Sequence, residues 1–261
     1  MQKLAVLLLT LLIAGCAFPG VYKINVQQGS IIKQEDLDQI LKAAQQAPTS
    51  VNGQQISLVV IRDKETIAKI AEFAGGQPQV ASADVFITVV VDYHRAAFAM
   101  ADVDKEIVIN RSAEGIMAGA VDAGIMLNAL QTAAESFGYG TTAIGGIRAN
   151  PDKMVELLGL PANTFPLVGT TIGVTDVASV SPVKPRVPVE SFAMYEKYDS
   201  ALVIQGMREY DIELREWWDN IGLKDMPSYA ESTSQYYGQI YFPHIKKSLE
   251  SQGFIFQDQL D

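Results

Sequence analysis

The sequence predicts an α+β fold, in which a β-sheet and helices share one core and a helical extension follows. Three observations lead to this prediction. Segments whose apolar residues recur about every 3.6 residues alternate with short β-branched runs. The longest predicted helix, at about 114–137, is apolar almost all round and is therefore expected to be the central buried helix. From about Ser200 the chain is helical and rich in aromatic residues.

Turn and cap residues set the limits of the predicted elements. Pro48 ends the first helix and Gly138 ends the long one. Asn150 and Pro151 are typical of a helix N-cap and first helical residue. The predicted order is a helix at 33–47, a strand at 56–61, a helix through Ile67, Ile70 and Phe73 that Gly75 and Gly76 end, a strand at 85–91, the long helix, a strand at 141–144, a helix through Leu157 and Leu158, a strand at 166–174, an irregular stretch at 175–188, and the C-terminal helices.

The composition excludes several classes of protein. Among 261 residues, 20 Lys and Arg stand against 30 Asp and Glu, for a net charge of −10, so we expect no nucleic-acid partner. One cysteine excludes a disulfide framework, and together with two histidines, His94 at a strand end and His244 at a helix start, it cannot form a Cys/His zinc site. No apolar run approaches the roughly 18–20 residues of a membrane span.

Residues 1–20 differ in character from residues 21–261. After Lys3, an apolar run at 4–13 leads to Ala14-Gly15-Cys16, the arrangement of a bacterial lipoprotein signal with Cys16 as the lipidated residue. The alternative is a buried N-terminal helix. The sequence thus predicts either a lipid anchor at Cys16 and a membrane location, or a cytoplasmic protein. Residues 21–261 form one predicted domain with a C-terminal excursion at about 200–261.

Familiar catalytic motifs do not occur in the sequence. Gly138-Tyr139-Gly140 ends a helix and precedes a strand, the reverse of a dinucleotide-binding fingerprint. Gly-x-Ser-x-Gly, P-loop and His-Glu-x-x-His sequences are missing. Nucleophilic, metal-dependent and phosphoryl-transfer chemistry are therefore poorly supported.

Four loops carry small polar or basic groups. Residues 47–54 supply hydroxyls and amides, 75–78 an amide on a tight turn, 143–148 bare backbone N–H groups, and 184–186 two cations on a Pro-fixed segment. Each alone is explained by a capped turn or a solvated charge pair. Together they supply amides, close backbone approach and cations, which a flat, polar, phosphorylated ring system needs. Arg95 lies outside this set.

This set, in this order and spacing, resembles the FMN-dependent nitroreductase family, and within it the oxygen-insensitive NADPH nitroreductases and NADPH–FMN oxidoreductases. The resemblance covers about 32–254. It implies a mixed sheet surrounded by helices in a homodimer, with one FMN in each of two interface clefts. It also implies electron transfer from NAD(P)H to a nitroaromatic, a quinone or free flavin. The most specific stretches are Ala47–Gln55, Gly75–Gln77, Ala118–Gly124, Ala134–Ser136, Ile144–Arg148, Lys184–Pro188 and Tyr241–Ile245.

The resemblance further implies a cofactor site without a catalytic side chain, because the flavin carries the chemistry. Thr49, Ser50 and Val51 are expected to reach the flavin across the dimer interface. Asn52 and Gln77 are expected to meet its pyrimidine edge.

Two further segments complete the implied site. Gly145 and Gly146 offer backbone N–H groups near the reactive nitrogen of the flavin. Lys184 and Arg186 are expected to bind the pyrimidine oxygen and the phosphate. The same implied site includes the two residues before the glycines, Ala143 and Ile144.

Two parts of the chain depart from the family pattern. Arginines that grip the FMN phosphate are expected near Tyr22 and Asn25, where only Lys23 is basic. A charge-assisted hydrogen bond is worth about 1.5–3 kcal/mol, so two lost bonds weaken FMN binding by roughly a hundredfold or more. Relatives carry arginines for the NADPH 2′-phosphate within 220–229, where this chain has only Lys224.

Two functions agree with these residues. The first is an FMN-dependent NAD(P)H oxidoreductase with a ping-pong mechanism and a small-molecule electron acceptor. The second is a degenerate flavin-binding or non-catalytic member of the same fold. A third interpretation, an artefactual N-terminus, explains the missing arginines beside an intact remainder.

Overall fold

The computed structural model describes residues 31–175 and 182–258. The predicted lipid-anchor residue Cys16 and the arginine positions expected near Tyr22 and Asn25 lie outside the described residues. The chain divides into two compact units. Among the described residues, the first unit contains 31–175 and 244–258, and the second contains 182–243. The second unit therefore begins before Ser200, and the chain returns to the first unit at His244.

The strands and most helices form where the sequence predicts them. The strands are β1 (Ile56–Ile61), β2 (Val85–Asp92), β3 (Tyr139–Ile144) and β4 (Thr164–Val174). The helices are α1 (Gln34–Gln45), α2 (Lys64–Phe73), α3 (Pro78–Ala81), α4 (His94–Ala101), α5 (Ala113–Ser136), α6 (Pro151–Leu158), α7 (Val189–Phe192), α8 (Ser200–Asn220), α9 (Tyr229–Tyr237) and α10 (Ile245–Ser251). Single 3-10 turns lie at Ser50–Asn52, Ile109–Arg111 and Gly145–Ala149.

The described strands form one sheet with the order β1-β2-β4-β3, which confirms the α+β class. Every strand pair in it is antiparallel. Two neighbouring strands are parallel only when the connection between them returns the chain to the same end of the sheet. Here the chain enters each strand at the end opposite to that of its neighbour, so the two run antiparallel. The parallel pairing that a mixed sheet also requires is therefore not found within 31–175 and 182–258.

β2 is apolar along its length because both of its faces are buried. Val85, Ile87, Val89 and Val91 pack in one core cluster together with residues of α1 and α5. Phe86 points to the other side, into a second cluster formed with α2 and α6. Helices therefore cover both faces of the sheet, as the sequence predicts.

α5 is buried on one face only. Gly119 allows this helix to approach β2 closely, because a Cβ atom at that position would lie 2.6 Å from Cγ1 of Val91. On the opposite face, Met117, Val121 and Ile125 are 56%, 61% and 37% exposed. Within a single subunit α5 is therefore buried on one side only, and an apolar face of the helix stays exposed.

Among the described residues, α5 is the one helix that is long enough and, on average, apolar enough to span a membrane. Its 24 residues do not form an uninterrupted apolar run, because Glu114, Asp122 and Glu135 lie within it. Asp122 and Gln131 are nevertheless buried on it, and both make hydrogen bonds to groups of the first unit. These contacts identify α5 as a core helix.

Two local expectations need correction. Asn150 and Pro151 do begin α6, but the Asn150 side chain does not cap it. Its amide donates instead to the carbonyl oxygen of Phe73 at 2.8 Å, joining the start of α6 to the end of α2. His94 begins α4, which periodicity did not predict in this short segment, and its ring lies edge-on to Phe98 with the centroids 4.8 Å apart.

The second unit is organised around α8. Gly206, Tyr210, Leu214 and Trp218 recur every four residues and form the buried face of this helix. The segment 184–191 runs antiparallel to that face. A Cβ atom at Gly206 would collide with the Ser191 side chain, so glycine is required for this close approach.

Candidate functional site

The loop before β1 is the most strained part of the candidate site. Val51, Asn52 and Gln54 have φ values of 48°, 55° and 51°, a region that a β-branched residue such as Val51 rarely adopts. Strained backbone of this kind persists only where its surroundings hold it, and it concentrates at functional sites. The Val51 side chain is 97% exposed. The loop therefore presents an apolar side chain outward from a fixed backbone.

A buried carboxylate on α5 holds this loop. The backbone N–H of Ser50 donates to both oxygens of Asp122, at 3.2 and 3.1 Å. The side-chain amide of Gln55 donates to Oδ2 of Asp122 at 2.5 Å. Inside the loop, the Gln54 N–H donates to Oγ1 of Thr49 at 3.0 Å. The loop is thus anchored on both sides of its strained residues.

Arg95, which is not part of the four loops identified in the sequence, also contacts this loop. Its guanidinium donates to the carbonyl oxygen of Gln54 and, at 3.0 Å, to Oγ of Ser57. Asp92 lies 3.8 Å from the same guanidinium. Nothing in the local sequence predicts this contact, because 41 positions separate Arg95 from Gln54. Arg95 therefore supports the loop through the backbone of Gln54.

A second part of the candidate site joins Gln77 to Gly146. The Gln77 side chain is 1% exposed, and its Nε2 donates to the carbonyl oxygen of Ala74 at 2.9 Å. Its Oε1 accepts a hydrogen bond from Gln79 at 2.7 Å. A Cβ atom at Gly146 would lie 2.5 Å from Nε2 of Gln77 and 2.8 Å from the Ala74 oxygen. The structure therefore brings Gln77 and Gly146 into direct packing, while the role of Gln77 at a pyrimidine edge stays a prediction.

The glycine turn follows β3 directly. Ile144 is buried as the last strand residue, Ala143 is half-buried before it, and Gly145 begins the 3-10 turn. The first N–H groups of a helical turn have no partner within the turn, so they are available to an acceptor. Arg148 closes the turn by donating to the carbonyl oxygen of Leu167 at 2.6 Å. The first residues of the turn therefore offer backbone N–H groups next to the Gln77 side chain.

These two parts lie at opposite edges of the sheet. The loop 49–52 precedes β1, and the glycine turn follows β3, and these are the two edge strands. Both leave the sheet toward the same end, where β1 begins and β3 finishes. Since neighbouring strands are about 4.8 Å apart, the edge strands are separated by roughly 14 Å.

Lys184 and Arg186 belong to the second unit, where both lie along α8. Nζ of Lys184 is 4.8 Å from the ring centroid of Trp218, a cation–π contact. Burial lowers the pKa of Lys184, and the nearby charge of Arg186 lowers it further. Arg186 is exposed, and its guanidinium donates to the carbonyl oxygen of Pro185 at 3.2 Å. The two cations therefore differ in environment, one half-buried on an indole and one open to solvent.

Residues 220–229, where the resemblance leads us to expect arginines for the NADPH 2′-phosphate, connect α8 to α9. Lys224 is exposed there. Arg215 of α8 donates to the carbonyl oxygens of Lys224 and Met226, at 2.9 and 2.5 Å. The Arg215 guanidinium therefore stabilises the backbone of this connecting segment.

Family models recognise both parts of the chain. The model of the nitroreductase family matches residues 28–174, and that of the family's C-terminal domain matches residues 184–257. This chain belongs to the nitroreductase family. It is accordingly an oxidoreductase of the nitroreductase type, as its loops predict.

Individual relatives agree with this membership. A Bacillus subtilis (strain 168) protein described as FMN reductase (NAD(P)H) is 41% identical over 226 residues, covering 85% of this chain and 90% of the relative. The structure of B. megaterium NfrA2 matches with a TM-score of 0.85 and 36% identity, covering 90% of this chain and 94% of that one. NADPH:FMN oxidoreductase from Vibrio harveyi, solved with NAD+, matches with a TM-score of 0.76 and 28% identity, covering 94% and 97%. The expected nitroreductase fold is confirmed.

Proposed function

We propose that this nitroreductase-family chain is an FMN-dependent oxidoreductase that passes electrons from NAD(P)H to a nitroaromatic, a quinone or free flavin. The observation that carries the proposal is the glycine turn at Gly145 and Gly146, which packs directly on the Gln77 amide at the end of β3. Relatives described as FMN reductase and as NADPH-flavin oxidoreductase support it. FMN held by these residues would supply two-electron redox chemistry between NAD(P)H and a second substrate that binds after the nucleotide has left.

The residues of the chain bind and orient the cofactor in this proposal. Backbone N–H groups of Gly145 and Gly146 donate to the ring system, and Gln77 serves its pyrimidine edge. Asn52 belongs to the loop 49–54 and therefore serves the pyrimidine edge of the cofactor in the partner subunit. The strained loop with Val51 covers the cofactor of the partner subunit. Because the redox chemistry resides in the cofactor, no side chain has to act as an acid or a base.

Two cations are assigned to the polar groups of FMN. Arg186 provides a planar fork for the phosphate, and Lys184 provides a point charge for the pyrimidine oxygen. Both follow from the family pattern carried onto 184–188.

We expect purified protein to bind FMN and to oxidise NADH or NADPH when a quinone or nitroaromatic is added. The measurement is the flavin absorbance band of the protein, followed by its bleaching with NAD(P)H and its return with the acceptor. Protein that stays colourless after FMN addition and gel filtration would support the degenerate, non-catalytic alternative. Protein that binds FMN but is not bleached by either nucleotide would indicate a flavin-binding role.

Homodimerisation is expected, and it would explain the separation of the two parts of the site. The exposed stripe of Met117, Val121 and Ile125 on α5 is an apolar surface that a partner can cover. With the loop and the glycine turn at opposite edges of one sheet, a second subunit can bring a loop to each turn. Light scattering at micromolar concentration should give twice the monomer mass of 28.4 kDa, whereas a monomer would refute the shared site.

The location of the protein remains a prediction from its first residues. A lipid anchor at Cys16 places the enzyme on a membrane surface, and the alternative is a cytoplasmic enzyme. Labelling with palmitate that Cys16→Ala abolishes would identify the anchored form.

A further inference from the structure

Asp122 is an ionisable residue in an otherwise apolar stretch of α5. It is 3% exposed, and a buried carboxylate is tolerated only when its oxygens receive hydrogen bonds. The donors it receives are the Ser50 backbone N–H and the Gln55 side chain, both from the segment between α1 and β1. Its interactions therefore serve the loop rather than the packing of α5.

The position of Asp122 is fixed from two directions. Gly119, one helical turn earlier, seats α5 on Val91 of β2. Gln55 is itself buried and immediately precedes β1, and its backbone oxygen accepts from the Asp92 N–H at 2.9 Å. The carboxylate is thus held by the core, and the loop is held by the carboxylate.

The bonded atoms lie on either side of the strained backbone. Ser50 precedes Val51 and Asn52, and Gln55 follows Gln54, the third residue with a positive φ. Left-handed conformations of non-glycine residues relax when their restraints are removed. Hydrogen bonds to a charged acceptor are stronger than those between neutral groups, so Asp122 supplies a suitable restraint.

We propose that Asp122 is a positioning residue that holds the loop 49–54 in the strained shape in which Val51 and Asn52 face the flavin. The inference rests on the proposed function, because the loop is assigned there to the cofactor. Asp122 acts through Ser50 and Gln55 and does not itself touch FMN.

The test compares Asp122→Ala, Asp122→Asn and Asp84→Ala in the full chain. Asp84 is the matched control, since it is also a buried carboxylate of the first unit and accepts from the Ile32 N–H at 2.6 Å, beside Arg62 and Lys64. Two quantities are measured: hydrogen exchange of the peptide covering 49–55 without added FMN, and the FMN dissociation constant by fluorescence quenching.

Asp122→Ala should speed exchange of the loop peptide and raise the FMN dissociation constant, each by about tenfold or more. Exchange of β2 should remain as in the wild type. Asp122→Asn should restore both quantities to within about threefold, because it keeps an acceptor for Ser50, and the Gln55 amide can turn to accept its N–H. Asp84→Ala should leave both quantities near the wild-type values.

Unchanged loop exchange in Asp122→Ala would overturn the proposal. So would equal effects of Asp84→Ala and Asp122→Ala, since these would indicate general destabilisation. Faster hydrogen exchange of the loop with an unchanged FMN dissociation constant would contradict the proposal that the loop conformation held by Asp122 contributes to FMN binding. Wild-type protein that binds no FMN would refute the proposed function instead, and loop exchange would then decide the restraint by Asp122 on its own.

Discussion

Replacing Gly146 with alanine is expected to lower the free energy of unfolding by about 1–3 kcal/mol, the usual cost of overpacking. The added Cβ atom would lie 2.5 Å from Nε2 of Gln77 and 2.8 Å from the backbone oxygen of Ala74. Neither atom can move easily, because Gln77 is buried and bonded to that same oxygen at 2.9 Å. The turn itself must therefore shift, and its backbone donors lose their position at the proposed flavin. We also expect FMN affinity to fall about tenfold or more.

The neighbouring glycine provides the control for this prediction. A Cβ atom at Gly145 would lie 3.1 Å from the guanidinium of Arg148, the far end of a flexible side chain. Gly145→Ala should therefore change stability and FMN affinity much less than Gly146→Ala. Urea unfolding and FMN titration measure the two effects. Equal losses in both variants would show that the turn tolerates no side chain and that packing on Gln77 is not the cause.

The strands were predictable because their signals are local. Ile56–Ile61 is a β-branched run between turn residues, and the structure places β1 at these bounds. β2 shows no alternation of apolar and polar residues, because both of its faces are buried. The face of α5 that stays open could not be predicted from its composition, because composition does not say which of several apolar faces the sheet covers.

Residues that stabilise the candidate site are less evident from the sequence than residues that are assigned to the cofactor. Asp122 did leave a signal, since an aspartate between Gly119 and Ala123 on the buried face of an apolar helix needs partners. The sequence could not name Ser50 and Gln55 as those partners, because they lie 72 and 67 positions away. Arg95 leaves no signal at all, since an exposed arginine at a helix start is ordinary.

The assignment of Arg186 to the FMN phosphate leads to the other prediction with a large effect. Arg186→Ala should raise the FMN dissociation constant at least about tenfold, which corresponds to roughly 1.4 kcal/mol. The arginines expected near Tyr22 and Asn25 are replaced by uncharged residues, so the remaining cations carry more of the binding. A guanidinium can bind a phosphate with two parallel hydrogen bonds, which an ammonium cannot do.

Arg186 should also matter more than the other polar groups of the site. Lys184 is half-buried over Trp218, and its burial, together with the charge of Arg186, lowers its pKa. Gln77→Ala should remove one neutral hydrogen bond to the flavin, worth about 0.5–1.5 kcal/mol, in addition to the bonds of this side chain with Ala74 and Gln79. The control for Arg186→Ala must be an arginine that has no contact with the candidate site, and Arg95 is unsuitable because it supports the loop through Gln54. Arg208, an exposed arginine of α8 in the same unit as Arg186, is a suitable control. Titration of apo-protein with FMN should give wild-type affinity for Arg208→Ala. Equal affinities for wild type, Arg186→Ala and Arg208→Ala would mean that Arg186 is a solvated charge beside a proline, with no part in binding the phosphate.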